Sequence, residues 1–87
     1  MITDAQAETL RALEAHGIIA NEIPFNPYEI FPTRNNEANG HRRTCKSLAK
    51  AGLLVKPEHQ IERFRPIKEK VQAAYQDWYR KRGFKFD

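Results

Sequence analysis

Eighty-seven residues with 15 Lys and Arg against 11 Asp and Glu carry a net charge of +4, and 40% of them are hydrophobic. A chain of that length holds one core and therefore one domain, with stability expected toward the low end of the usual range of about 5–15 kcal/mol. No apolar run approaches the about 20 residues a membrane span needs, Asp4 and Glu8 interrupt any signal-peptide pattern, and a single cysteine excludes an internal disulfide. The expectation is a soluble, cytoplasmic protein whose lone thiol fills core space. Charge is spread unevenly: residues 1–33 sum to −4, residues 34–56 to +5 and residues 57–87 to +3. Such separation gives a directed field suited to a polyanion, although solvated Lys and Arg on helix surfaces would produce the same count.

The first element is a helix over about 4–16. Thr3-Asp4-Ala5-Gln6 forms a capping box, and Ile2 is placed to staple against Ala7. Ala7, Leu10 and Leu13 give its apolar stripe, and Gly17 ends it. Ile18-Ile19-Ala20 reads as a short extended arm of a small sheet. Asn26-Pro27-Tyr28-Glu29 starts a second, short helix, with Asn26 as cap and Pro27 at the first helical position. Pro32 stops it by disfavouring helical geometry at Phe31, and Tyr28, Ile30 and Phe31 are its anchoring residues.

After the polar connector Thr33-Arg34-Asn35-Asn36, with Asn36 as cap, a third helix is expected over about 37–51. His41, Cys45, Leu48 and Ala49, at i, i+4, i+7 and i+8, mark a buried face. Arg42, Arg43, Lys46 and Lys50 point the other way, and Gly52 sits where a helix C-terminus needs positive φ. Gly40 costs roughly 1 kcal/mol relative to alanine inside a helix; it either allows close approach of another backbone or marks a later start at Asn39.

Leu53-Leu54-Val55 and Gln60-Ile61-Glu62-Arg63-Phe64-Arg65 are the arms of a hairpin around the turn Lys56-Pro57-Glu58-His59, with a bulge or bend where Ile61 and Phe64 fall three apart. Pro66 opens a last helix over about 67–81. Ile67, Val71, Ala74, Tyr75, Trp78 and Tyr79 line one face at i, i+4, i+7, i+8, i+11 and i+12. Gly83 stops that helix, so that 1–82 form the domain and 83–87 a tail.

An α+β, mostly helical chain of about four helices and a small hairpin, in this order, resembles the winged helix-turn-helix domain, especially small bacterial and phage regulators of the MarR-like and ArsR-like kind. The likeness is carried by Thr44-Cys45-Lys46-Ser47-Leu48-Ala49-Lys50-Ala51-Gly52-Leu53-Leu54, which is similar to the family's recognition helix turning into the first wing strand. Leu10 to Ile19 similarly looks like its first helix and short strand.

The resemblance implies a DNA-binding transcriptional regulator with helix 37–51 in the major groove and hairpin 53–65 as wing. Asn39, Arg42, Arg43 and Lys46 are then candidates for base edges, because arginine pairs bidentately with guanine and asparagine with adenine. Arg34, Lys50, Lys56, Arg63 and Arg65 would lie on phosphates, which position without specifying, and Thr33 could add a backbone contact. The plainer account of Arg42 and Arg43 is a solvated helix face. A second function remains open: a protein-binding module, for example a phage-type inhibitor or adaptor, with Tyr75, Trp78 and Tyr79 as the surface for a partner or a homodimer. A third is a regulator subunit touching DNA and protein together.

Neither a phosphate-binding glycine loop nor a nucleophile with a neighbouring base is present, so no enzymatic activity and no cofactor are expected. His41 and Cys45 are a helical i, i+4 pair without further ligands, so no metal is expected either. His41 is instead expected to be a semi-buried, hydrogen-bonded side chain.

Overall fold

A computed structural model describes residues 2–32, 34, 36–56 and 63–83. The molecule is mostly helical, with a small antiparallel sheet. Its first helix, α1 (Asp4–Ala15), starts at the expected capping box: the Gln6 amide donates to Thr3 Oγ1 at 3.1 Å and the Thr3 amide to Gln6 Oε1 at 2.9 Å. Gly17, at φ +75°, closes it. The Gly17 amide donates to the Glu14 carbonyl and the Ile18 amide to that of Leu13, the paired bonds of a Schellman motif.

That closure overturns one expectation. Ile18-Ile19-Ala20 is a turn rather than a strand, because the Schellman bond folds Ile18 back on Leu13. The amides of Glu22 and Ile23 then bond back to the carbonyls of Ile19 and Ile18. Both isoleucines are buried in the core. The extended residue lies further on: Phe25 exchanges two 2.8 Å backbone bonds with Phe64.

The short helix α2 (Pro27–Ile30) has the expected cap, with Asn26 Oδ1 accepting from the Tyr28 amide, and ends at Phe31 in extended geometry. Its anchors differ from those expected. Pro27 and Phe31 are buried and Ile30 partly so, whereas Tyr28 is 51% exposed.

Helix α3 (Asn36–Lys50) begins one residue early, so Asn36 is its first helical residue and not its cap. Ala38, Cys45 and Leu48 face the core, with His41 and Ala49 partly buried. Gly40 lies inside the helix and has open space where a Cβ would be, so it neither admits a backbone nor marks a start. Gly52, at φ +87°, repeats the closure of α1, with the Leu53 amide donating to the Leu48 carbonyl.

Strands β1 (Leu54–Val55) and β2 (Arg65–Pro66) pair antiparallel, Leu54 opposite Pro66 and Val55 opposite Arg65, and the Phe25 bridge extends β2's side of the sheet. Pro66 therefore belongs to the sheet and does not open the last helix. The Ile67 amide donates to the Leu53 carbonyl at 2.9 Å, which makes Leu54–Pro66 a pair that exchanges no hydrogen bonds, so proline's missing N–H removes none. The turn 56–59 and the first part of the second arm, 60–62, lie outside the described residues apart from Lys56, as do Thr33 and residues 84–87 of the tail.

Helix α4 (Lys68–Lys81) buries Val71 and lays Ala74, Tyr75 and Trp78 partly against the core. α3 packs against α1, α2 and β1, and α1 also contacts α4. Leu10, Leu13, Leu48, Cys45 and Val71 are all fully buried.

Candidate nucleic-acid interface

Two polar contacts set how α3 rests on α1. Thr9, a fully buried side chain of α1, shares a 2.7 Å hydrogen bond with His41 Nδ1. The His41 ring stacks on Phe31 with centroids 4.8 Å apart. Gln6 Nε2 donates to Ser47 Oγ at 2.6 Å one end further along. A buried hydroxyl without a partner would cost about 1–3 kcal/mol, so the Thr9–His41 bond fixes the rotation of α3 about its own axis. His41 is thus the semi-buried, hydrogen-bonded residue its position predicts. Cys45 is enclosed, and burial pushes its thiol up to about 12. It stays protonated at neutral pH, whereas nucleophilic attack needs the thiolate.

With that rotation set, the flanks of α3 differ in charge. The flank toward α1 brings Glu37, Gly40, His41 and Thr44 beside Glu8 and Thr9. The opposite flank brings Asn39, Arg42, Arg43 and Lys46 around a recess of about 280 Å³, shared with Pro27, Tyr28 and Phe64. All four residues expected at base edges therefore meet in one place. Arg43 and Lys46 are exposed, and Asn39 partly so.

Arg42 has a different task. Its Nη1 donates to the carbonyls of Phe31 at 3.2 Å and Pro32 at 3.0 Å, and its guanidinium lies 5.1 Å from the centre of the Tyr28 ring. It ties the exit of α2 to α3. The residues expected at phosphates are dispersed: Arg34 before α3, Lys50 in its last turn, Lys56 after β1, Arg65 on β2, all exposed. Arg63 is 3.9 Å from the Glu29 carboxylate across two exposed side chains, a contact worth at most about 1 kcal/mol.

The aromatic residues of α4 are turned to α1. Trp78 Nε1 donates to Asp4 Oδ1 at 3.0 Å, and the Arg82 guanidinium lies 4.5 Å from its ring centre. Arg82 also pairs with the same carboxylate. Arg11 Nη2 donates to Tyr79 Oη at 3.0 Å, and the Tyr75 hydroxyl reaches the Ala7 carbonyl at 3.4 Å. Burial pushes the Tyr75 phenol well above its ordinary range. The Arg82 and Trp78 hydrogen bonds hold the Asp4 carboxyl below the usual carboxylate range.

Sequence reasoning missed Thr9 and the exposure of Tyr28. Thr9 lies beside the Ala7–Leu10–Leu13 stripe, where only the approach of α3 buries it. Tyr28 resembles an anchor because it neighbours Pro27, and only the position of Arg42 shows that its ring is held at the surface. Among the described residues, no group of three His, Cys, Asp or Glu is placed to hold a metal ion, and no helix is long and apolar enough to cross a membrane. The chain matches no protein-family model, no curated protein and no solved structure.

Proposed function

We propose that this chain is a winged helix-turn-helix DNA-binding domain acting in the cytoplasm as a small, non-enzymatic transcription regulator. The order α1, Phe25, α2, α3, then β1 and β2, with β2 between Phe25 and β1, supports that architecture. The single observation that carries the function is the flank of α3 facing away from α1. Asn39, Arg43, Lys46 and Lys50 repeat at i, i+4, i+7 and i+11, so one row of donors runs the length of the helix. A helix so lined fits the major groove, with Asn39, Arg43 and Lys46 at base edges. Arg34, Lys50, Lys56 and Arg65 contact phosphate, with Arg63 joining them when it leaves Glu29. Arg42 holds the turn between α2 and α3 and so positions the reading residues.

The alternative of a protein-binding module depends on the aromatic face of α4. The polar groups of Trp78 and Tyr79 are engaged by Asp4 and Arg11, which favours placing the partner surface on α3.

Fluorescence anisotropy of a labelled random-sequence duplex, titrated at low and moderate salt, tests the function. Micromolar binding that weakens steeply with salt is expected. Arg43→Ala/Lys46→Ala should remove most of it while leaving the thermal transition in place. Absence of binding at low salt would overturn the proposal.

A further inference from the structure

We infer that the recess between α2 and α3 receives the C5-methyl group of a pyrimidine, with Tyr28 as its apolar contact. The inference rests on the duplex-DNA reading of α3 and adds what the site discriminates.

The lining has two parts. Asn39, Arg42, Arg43 and Lys46 bring donors to it, while Pro27, Tyr28 and Phe64 bring carbon surface. Pro27 and Phe64 are otherwise buried, but Tyr28 is 51% exposed, one of the large apolar side chains that the described surface leaves in water. Its position is not left to chance. The Arg42 guanidinium lies against the ring, and the carbonyls of Phe31 and Pro32 hold that guanidinium in turn. Ring, cation and turn form one preset unit, so little side-chain entropy remains to be lost on contact.

A recess lined by both donors and carbon surface is complementary to an apolar point among acceptors. The major groove offers acceptors at guanine O6 and N7, adenine N7 and thymine O4, and its one apolar group is the thymine methyl. Phosphates offer no such group, and unmodified cytosine lacks it. Two bases share the chemistry, thymine and 5-methylcytosine, and the recess distinguishes both from their unmethylated counterparts.

The test begins with a duplex selected from a randomised pool by the wild-type chain. Each thymine of the selected duplex is replaced singly by deoxyuridine, which removes the methyl and leaves the pairing unchanged. Each cytosine is replaced singly by 5-methylcytosine, which adds one. Burying a methyl-sized group predicts a change of about fourfold in Kd at one position. Loss at a deoxyuridine identifies thymine as the ligand, and gain at a 5-methylcytosine identifies the methylated base. Tyr28→Ala should bind the methylated and unmethylated duplexes equally, whereas Tyr28→Phe should keep the difference. In thermal unfolding Tyr28→Phe should match the wild type, and Tyr28→Ala should stay folded with a slightly lower midpoint, since it loses only the contact with the Arg42 guanidinium.

Methyl-independent affinity at every position overturns the inference, as does a methyl effect that persists in Tyr28→Ala. A uniform loss across all duplexes in Tyr28→Ala, without methyl dependence, would place the ring on deoxyribose and also overturns it. In each of these results salt-dependent duplex binding survives. If no duplex binds at all, the DNA-binding reading of α3 has failed with it.

Discussion

Arg42 and Arg43 are adjacent in sequence and differ in role because a helix turns about 100° between them. Arg43 stands exposed on the outer flank of α3, while Arg42 reaches back to the carbonyls of Phe31 and Pro32. Arg42→Ala should therefore lower stability in urea denaturation by about 1.5–3 kcal/mol, the range for hydrogen bonds to a charged group, whereas Arg43→Ala should stay within about 0.5 kcal/mol. If α3 binds duplex DNA as proposed, both should weaken that binding, Arg43 by losing a contact and Arg42 by loosening the turn. Thr9 and His41 give a second comparison. Thr9→Val should cost about 1–3 kcal/mol, because the hydroxyl is removed and a partly buried ring nitrogen loses its partner. In a double-mutant cycle with His41→Ala, a coupling of about 1 kcal/mol should appear. Its absence would show that the two side chains do not depend on each other.

Among the elements, α3 has a weak point at Gly40. The residue is helical and a Cβ there meets nothing within 4 Å, so Gly40→Ala should stabilise the protein by about 0.5–1 kcal/mol, read as a raised midpoint in urea. The opposite result is expected at Gly52. Its φ of +87° closes α3 and delivers the chain to β1; alanine there should destabilise by about 1–2 kcal/mol. The two glycines differ in place, Gly40 inside the helical pattern and Gly52 just past its end. Their difference follows from the Leu48 carbonyl, which is left open at the end of α3 and is satisfied by the Leu53 amide only if residue 52 turns left-handed.

At the scale of the whole molecule, α1 contacts both α3 and α4. Asp4 at its start is bound by Trp78 and Arg82 from α4, tying the beginning of the described chain to the end of α4. The folded carboxyl titrates below its unfolded value, so its contribution is complete above the unfolded pKa and is lost as pH falls through the lower, folded one. Wild type should consequently lose stability more steeply than Asp4→Asn below about pH 4, as followed by circular dichroism at fixed urea. On the other side of the molecule, the cationic flank of α3 faces away from the acids of α1. If Lys50 and Lys56 each neutralise a phosphate, single alanine variants should reduce the slope of log affinity against log salt by about 0.9 each. They should do so equally for all duplex sequences.

The sequence by itself determined the elements whose signals are local: the Thr3 and Asn26 caps, the glycine closures, the brevity of α2 ahead of Pro32, and the periodicity of α3 and α4. Each depends on groups within about four residues of one another, so short-range backbone sterics and hydrogen bonding suffice. The candidate row Asn39, Arg43 and Lys46 was legible for the same reason, since helical spacing alone puts those residues on one flank. Tertiary structure decided the rest. The strand position passes from Ile18 and Ile19 to Phe25 because Phe64 is there to pair with it. Pro66 enters the sheet because Leu54 lies opposite it, and Arg42 leaves the exposed row because two carbonyls of a neighbouring turn lie within its reach. In these cases the deciding partner is far along the chain. Its position is set by how α1, α3 and the sheet enclose one core, and no local pattern encodes that.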